Sequence, residues 1–401
     1  AGALTVGQSG TGKMTVTNGG VANSTSGVVG ATAGSTGTIT VDGTDSLLHS
    51  PLIYLGYMGS GTLTLSNGGT LDTEDPLLLA IQAGSSGTLN IGAAHGDSAT
   101  GAGDITGADS VNMGAGTGSI VFNHTVTDPT AAGGYQFTQL ITGNGTVMQD
   151  AGHTVLNTEN TYSGVTQVNG GTLTTLLQST AGNTGFGSSA IDIATPGTLE
   201  VAGATTDGTG NFIFSNLLTG YGLLGVDLAS ATDTFTFASS AGTAFAGVTD
   251  LKNSTFALSG DNAAALTHAM LMTSTGNTTT VSDGVQHTDG LAFNGGTLAF
   301  DISLPGAAQS DGVLQTGTLV AGARTFSRNG RDFQASGEGI VQVTLTDPWN
   351  NPGLTADPDT NLNLLQQDDT HADIQLIEAD TVIGSGGSLT LTDLNEETIG
   401  T

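Results

Sequence analysis

Aspartates that recur close to predicted turns are the first candidates for binding chemistry in this chain. A carboxylate accepts hydrogen bonds from sugar hydroxyls and from the donors of a partner protein. The candidates are Asp72, Asp104, Asp109, Asp128 and Asp150. If the chain forms stacked coils, such recurrences become polar ladders along an edge or a groove. The alternative is that the acids only keep a β-protein with many edges soluble and apart from its neighbours.

Arginines form a second candidate site. Arg324, Arg328 and Arg331 are the three arginines of the chain, and they lie close together in sequence. An arginine fork binds a sulfate or carboxylate bidentately, so the cluster suits an anionic sugar. Ion pairing with the acidic segment 357–380 explains the cluster as well. Trp349, the one tryptophan, is either an exposed anchor for a ligand or a staple that folds its own loop onto the rest of the protein.

The acidic segment also carries a partial calcium-loop pattern. Oxygen ligands recur at the alternate positions and at the last position of a twelve-residue window, as they do in an EF-hand loop. These residues are Asp357, Asp359, Asn361, Asn363 and Asp368. Leu362 stands where the loop needs glycine, and an aspartate replaces the terminal glutamate. We therefore expect weak calcium binding or a plain acidic loop, and no other cofactor.

Motifs typical of enzymes are incomplete in this sequence. Gly96-Asp97-Ser98 has the form of a serine-protease nucleophile motif, but the glycine that shapes an oxyanion hole does not follow it. The segment 220–225 matches a dinucleotide fingerprint, yet alternating residues and no predicted helix come after it. We therefore expect no enzymatic activity.

Three histidines follow one another at equal spacing. His95, His124 and His153 are 29 positions apart. Imidazoles stacked on successive rungs could bind a metal, but no carboxylate accompanies all three. The pattern predicts a ladder of histidines on the surface.

Composition excludes several classes of protein. The chain has 401 residues, 35 acids against 5 bases and a formal net charge of -30. Such a chain repels the phosphates of nucleic acids, so no nucleic-acid partner is expected. Without cysteine it forms no disulfide or thiolate metal site. Its longest apolar runs are too short to cross a bilayer, so this segment is not expected to insert into a membrane. It opens in mid-pattern, and we expect that any leader has been removed.

A repeated phrase must position all these residues. Glycine followed by Thr or a similar residue and then by apolar residues in alternation begins at positions 12, 37, 61, 87, 118, 145, 171 and 197, at intervals of 24 to 31. Alternation indicates strands, with Met14, Ile39 and Leu63 in one inward column and Thr15, Thr40 and Thr64 on the other face. Short strands at this period favour an all-β fold, a right-handed parallel β-helix of roughly 15 coils.

Departures from the period predict loops. The segments 92–118, 263–286 and 347–373 interrupt the phrase, and the third contains Pro and Asp in abundance. We divide the chain into a main rod, 1–300, and C-terminal coils, 301–401, that carry the long acidic loop.

The segment 157–173 contains Asn-Thr-Tyr-Ser-Gly followed by Gly-Gly-Thr-Leu, and the segment 4–20 has an echo at 54–69. These segments resemble two repeats of the passenger domains of Gram-negative autotransporter adhesins of the diffuse-adherence and self-associating type. The residues 374–381 and 387–391 resemble the part that leads to the membrane-proximal end.

The resemblance implies a mature or truncated passenger domain, exported to the bacterial cell surface. It further implies adhesion to a host extracellular-matrix protein such as fibronectin, or to a glycan or glycosaminoglycan chain, through a polar face of the rod. Self-association between rods, leading to aggregation and biofilm, is the alternative. A β-helix enzyme that degrades polysaccharides is a third reading, and the scarcity of bases argues against it.

Overall fold

The computed structural model describes residues 1–128, 130–176, 185–203, 210–282, 284–303, 313–346, 376–384, 389–392 and 398–400. Within these residues the protein is almost entirely β-structure. Trp349 and the predicted calcium ligands Asp357, Asp359, Asn361 and Asp368 lie outside the described residues, as does the loop 347–373.

The first half of the chain forms twenty strands. They are β1 (Ala3–Val6), β2 (Thr11–Thr17), β3 (Val21–Asn23), β4 (Ser26–Val29), β5 (Thr36–Asp42), β6 (Leu47–His49), β7 (Ile53–Leu55), β8 (Ser60–Ser66), β9 (Thr70–Asp72), β10 (Leu77–Leu79), β11 (Ser86–Gly92), β12 (Asp104–Thr106), β13 (Ser110–Asn123), β14 (Tyr135–Phe137), β15 (Leu140–Ala151), β16 (His153–Leu156), β17 (Val165–Val168), β18 (Thr172–Leu176), β19 (Ala190–Ile193) and β20 (Thr198–Gly203).

The remainder adds one helix and further strands. They are β21 (Asn211–Phe214), β22 (Leu218–Gly220), β23 (Leu223–Leu228), β24 (Thr234–Phe237), β25 (Ala244–Phe245), β26 (Val248–Lys252), β27 (Thr255–Leu258), α1 (Gly260–Leu266), β28 (Met270–Ser274), β29 (Thr278–Val281), β30 (Val285–Asn294), β31 (Thr297–Ser303), β32 (Val313–Val320), β33 (Arg324–Arg328), β34 (Arg331–Ala335), β35 (Gly339–Thr346), β36 (Ile377–Ile383), β37 (Leu389–Thr392) and β38 (Thr398–Gly400).

Strands from successive coils pair in parallel. A fourteen-stranded sheet follows β1-β4-β7-β10-β13-β15-β17-β19-β22-β25 and includes β2, β5, β8 and β11; a four-stranded sheet follows β12-β9-β6-β3. A ten-stranded sheet follows β14-β16-β18-β20-β23-β26-β28-β30-β32-β36, and an eight-stranded sheet follows β21-β24-β27-β29-β31-β35-β37-β38. Most neighbours are about one coil apart in sequence, with longer separations for the pairs β31–β35, β32–β36 and β35–β37 and one short antiparallel pair, β37–β38. The predicted parallel β-helix is therefore confirmed.

Inward side chains stack in register along the rod. Met14, Ile39, Leu63, Leu89, Ile120 and Val147 are successive partners. The last five are fully buried, and each buried aliphatic stabilises the fold by about 1.5–3 kcal/mol. The sequence pattern predicted that this column continues to Leu173, and that prediction is wrong. Val147 pairs instead with Thr166, and Leu173 pairs with Leu199 in the ten-stranded sheet.

Glycine opens each repeated phrase because the backbone turns a tight corner there. A Cβ on Gly37 would lie 2.1 Å from the carbonyl oxygen of Val6, and one on Gly87 would lie 2.2 Å from that of Leu55. Real Cβ atoms do not approach a carbonyl so closely, so other residues would force the corner apart. The spacing of the glycines therefore sets where the backbones of successive coils approach each other this closely.

Two of the predicted loops are wrong in large part. In the segment 92–118, Asp104–Thr106 pairs with β9 and the long strand β13 begins at Ser110, so the departure from the rod is limited to the residues near 93–103. In the segment 263–286, the helix α1 is followed by β28 and β29, which are regular strands of the rod. The extra residues are therefore accommodated by a corner helix, and Met270 and Met272 are buried. The division at residue 300 stays a prediction.

A β-hairpin lies against the outside of the rod. Its strands β33 and β34 are antiparallel and join through Asn329 and Gly330, which both have positive φ. Asn-Gly is the preferred pair for such a two-residue turn. A cluster of buried apolar residues separate from the main core joins the hairpin to the rod. Its members are Val248, Met270, Met272, Ala292 and Val320 of the rod and Phe326, Phe333 and Ala335 of the hairpin. Outward positions of the ten-stranded sheet are apolar here because the hairpin covers them.

Candidate functional site

Outward side chains of β2, β5, β8 and β11 form a regular array of hydroxyls, which we call the hydroxyl face. It consists of Thr15, Thr38, Thr40, Thr62, Thr64 and Thr88. Thr38, Thr62 and Thr88 are partners in one column, and Thr15, Thr40 and Thr64 in the next. Rungs lie about 4.8 Å apart, so the hydroxyls repeat at a fixed spacing along the rod.

The hydroxyl face is bare of carboxylates in a strongly acidic protein. Its first column continues with Lys13 at one end and with Ser119 and Thr146 at the other. The second continues with Asn90, which donates through Nδ2 to Thr64 Oγ1 at 3.0 Å. Asp42 lies in the adjoining column, where Ser66 donates to it at 2.6 Å. A partner meets little charge repulsion at this face, since its central columns carry no acid.

Asp72 and Asp104 lie on the four-stranded sheet. Asp72 shares a column with His49 and Thr106: its Oδ2 is 2.8 Å from His49 Nδ1, and its Oδ1 accepts from Thr106 Oγ1 at 3.1 Å. Asp104 lies on β12, two positions before Thr106, and is exposed. Asp72 and Asp104 therefore lie in different columns of this sheet and do not stack on each other. Ligand binding by either aspartate stays a prediction.

The other three aspartates lie elsewhere. Asp150 is in β15, where its Oδ2 is 2.7 Å from His95 Nδ1 and its Oδ1 accepts from Asn169 Nδ2 at 2.8 Å. Asp109 is exposed in the turn before β13. Asp128 is exposed after β13, and hydrogen bonds from the backbone and side chain of Thr130 lower its pKa. The five acids do not form one column, because they lie in different places: Asp72 and Asp104 on the four-stranded sheet, Asp150 on the fourteen-stranded sheet, and Asp109 and Asp128 outside the strands.

The predicted surface ladder of histidines is wrong. His95 is exposed, but His124 and His153 are 0% and 3% exposed. His124 lies 2.8 Å through Nε2 from Thr154 Oγ1, and His153 lies 2.8 Å through Nε2 from Thr174 Oγ1. These imidazoles are buried polar groups with satisfied partners. No group of three or more His, Asp or Glu side chains in the described part of the chain is arranged to hold a metal ion.

Two of the three arginines, Arg328 and Arg331, hold the hairpin on the rod. Arg328 Nη2 donates to Asp289 Oδ2 at 2.5 Å and to the carbonyl oxygen of His268 at 3.1 Å. Arg331 Nη1 donates to Thr198 Oγ1 at 2.9 Å and to two nearby carbonyl oxygens. Arg324 donates through Nε to the carbonyl oxygen of Ala321. The ion-pair partner of Arg328 is thus an aspartate of the rod. The segment 357–375, which the sequence offered as a partner, lies outside the described residues. Anion binding by this cluster stays a prediction.

One carboxylate of the ten-stranded sheet has an unusual environment. Burial raises the pKa of Asp250 to about 6, although a hydrogen bond from Ser274 Oγ at 2.6 Å and the charge of Lys252 oppose the change. Lys252 itself forms an ion pair with Asp227 at 2.5 Å. The sequence pattern did not mark Asp250, because its burial depends on tertiary packing and not on its neighbours in sequence.

Comparison with known proteins gives two relatives. The chain is 47% identical over 400 residues to the uncharacterized lipoprotein YdeK of Escherichia coli strain K12, an alignment that covers 99% of this chain and 30% of that protein. It is 28% identical over 445 residues to the uncharacterized protein YuaQ of the same strain, covering 97% of this chain and 30% of that protein. The chain therefore spans less than a third of the length of either relative. No protein-family model matches. None of the helices that the structure describes is long and apolar enough to cross a membrane.

Proposed function

We propose that this chain is the rod of a bacterial cell-surface adhesin, which binds a host extracellular-matrix protein or a glycan chain by repeated polar contacts along one side. The observation that carries the proposal is the hydroxyl face. Hydroxyls repeated on successive rungs offer a donor and an acceptor at each step. An extended partner engages many of them at once, so weak contacts add through multivalency.

Similarity to a lipoprotein supports the surface location. YdeK is described as a lipoprotein, and a lipid anchor would tether such a rod to a membrane. An elongated rod then extends the hydroxyl face away from the anchor, where a host molecule or another cell can reach it. The proposal assigns the chain no catalytic role and no resident cofactor.

Self-association is the second candidate, and the charge distribution favours it specifically. A body with a net charge of -30 repels its own copies, and repulsion is weakest where carboxylates are missing. The hydroxyl face is such a region. Two rods that pair through it would join neighbouring cells and produce aggregation.

The two candidates are separated by a binding array combined with sedimentation. Purified chain is applied to immobilised fibronectin, collagen, laminin and to neutral and sulfated glycans, with and without calcium, and its mass is measured by analytical ultracentrifugation. Adhesion predicts saturable binding to at least one surface by a monomer. Self-association predicts a concentration-dependent dimer without surface binding. A monomer that binds none of these surfaces contradicts both.

A further inference from the structure

A groove lies where the hairpin tip overhangs the corner between the fourteen-stranded and ten-stranded sheets. Its volume is about 710 Å³, within the range of about 300–1,000 Å³ that is typical of sites for small molecules. On one side it is lined by Asp192, Thr219 and Ala244, which are partners on the three successive strands β19, β22 and β25. On the other side are Tyr221, in the corner turn, and Asn329 at the hairpin tip.

The walls of this groove are fixed. Asn329 Nδ2 donates to the carbonyl oxygen of Ala246 at 2.9 Å, which holds the hairpin tip against the rod. Arg331 fastens the adjacent strand to the corner at Gly197. Thr195 Oγ1 donates to the carbonyl oxygen of Tyr221 at 3.2 Å and so joins two corner turns of successive coils. A groove with such walls needs little ordering when a ligand binds.

Tyr221 gives the groove an aromatic platform. Its side chain is 58% exposed, the second highest exposure among the large apolar and aromatic residues of the described chain. The apolar face of a sugar ring packs on an aromatic ring because both remove apolar surface from water, while the sugar hydroxyls stay at the rim. An exposed tyrosine beside a wall of polar side chains is therefore suited to a saccharide.

The polar wall determines the charge of the ligand. Asp192 Oδ1 accepts from Thr219 Oγ1 at 2.7 Å, which orients the carboxylate on the groove wall. A carboxylate accepts hydrogen bonds from vicinal hydroxyls, and Asn329 adds an amide to the opposite wall. Asp192 is the charged residue among those that line the groove. It repels sulfate and uronate groups, which leaves a neutral saccharide as the matching ligand.

We propose that this groove binds a neutral saccharide, with its ring packed on Tyr221 and its hydroxyls bonded to Asp192. The inference rests on the proposed adhesive function for the source of the sugar, a glycan at a cell surface, and it adds a defined pocket to the extended hydroxyl face. The proposed ligand is neutral, unlike the anionic sugar that the arginine cluster predicted, because Arg328 and Arg331 are engaged in holding the hairpin.

The test is saturation-transfer-difference NMR on the whole purified chain. The probes are maltotriose, cellotriose, chitotriose and N-acetyllactosamine, with a heparin tetrasaccharide as the anionic comparison. We expect at least one neutral probe to bind and the heparin fragment to bind more weakly. Tyr221→Ala and Asp192→Ala should each weaken that binding at least tenfold. Tyr57→Ala is the matched control, because Tyr57 is 38% exposed and lies elsewhere on the rod, against Tyr54.

The outcomes are distinct. Absence of binding by every neutral probe, stronger binding of heparin, or unchanged binding by Tyr221→Ala would overturn the groove assignment. Circular dichroism and melting curves establish that each variant is folded, and Asp192→Asn provides a second variant that keeps the side-chain volume. The array experiment on the same proteins separates the two proposals. If Tyr221→Ala still adheres, adhesion takes place through the hydroxyl face without the groove. If the chain binds a sugar but adheres to no surface, the groove proposal holds and the adhesive function is contradicted.

Discussion

Nη1 of Arg331 lies 2.9 Å from the carbonyl oxygen of Gly197, 134 positions earlier in the chain. This contact joins the tip of a hairpin to a corner several coils away along the rod. It is reinforced by the stacked rings of Phe326 and Phe333, with centroids 5.6 Å apart, over the outer apolar cluster. The hairpin thus acts as a brace across successive rungs, and it also forms one wall of the groove at Tyr221.

Removing the arginine should release the brace. Arg331→Ala loses three hydrogen bonds from a charged donor, and we expect a loss of about 2 kcal/mol in the free energy of unfolding. Hydrogen exchange of the segment 324–335 should accelerate more than that of the rod strands. Lys13→Ala removes the same charge from an exposed position and should change neither quantity. Unchanged protection of the hairpin in Arg331→Ala would contradict the bracing role.

Alanine variants of two glycines can distinguish the destabilisation caused by a close backbone contact from that caused by a positive φ. Gly56 has φ +74, and its Cβ would lie 1.9 Å from the carbonyl oxygen of Ser86; Gly34 has φ +77 and open space around its Cβ. Each alanine variant bears about 1 kcal/mol for the left-handed backbone. Gly56→Ala also forces a clash between coils, so it should be less stable than Gly34→Ala by at least about 2 kcal/mol in chemical denaturation. Equal stability of the two variants would mean that the corner can relax.

His124 should make the fold sensitive to acid. Burial, together with the nearby charge of His153, lowers the pKa of His124 from 6.5 to about 4. Between these values the unfolded chain binds a proton that the folded chain does not, so stability is full above pH 6.5 and falls as the pH drops towards 4. The contribution is up to about 3 kcal/mol. In denaturation curves, His124→Gln should lack this decrease in the free energy of unfolding at low pH. The exposed control His268→Gln should retain it. A wild-type slope in His124→Gln would contradict the assignment.

Asp250 should change the stability of the fold with pH in the opposite direction. Burial raises its pKa from 3.8 to about 6, so the folded chain holds a proton between these values that the unfolded chain has lost. The charged carboxylate therefore destabilises the fold above pH 6. Asp250→Asn should raise the free energy of unfolding at pH 8 by up to about 3 kcal/mol, and the gain should vanish near pH 4. Asp75→Asn, at an exposed site, should show no such gain. A gain of equal size at both pH values would point to a cause other than titration.

The repeat was sufficient to predict the coils, because each one buries the same inward positions. Ile39 and Leu63 stack as the period requires. The ladders are harder to predict, since a single register shift displaces every later column. The shift between Phe122 and Asn123 leaves Asp150 without a register partner on β13, while Asp72 and Asp104 lie on a different sheet. The period fixes the strands, but it does not fix which polar residues meet.

The hairpin was missed although the sequence contained two signals for it. Asn329-Gly330 between alternating strands is a strong hairpin pattern. Val248, Met270 and Ala292 are apolar at outward positions, which indicates that something covers them. What no local pattern reveals is the location at which Arg331 attaches, because its acceptors are backbone carbonyls more than a hundred positions away.

Partner binding through the hydroxyl face can be tested by placing negative charge on that face. Thr40→Asp with Thr62→Asp adds two carboxylates on neighbouring rungs of this face. Thr325→Asp with Gln334→Glu adds the same charge to exposed positions of the hairpin. Surface plasmon resonance against the best matrix protein or glycan from the array should show at least a tenfold loss for the first variant and little change for the second. Equal affinities for the two variants would show that the partner does not bind through the hydroxyl face.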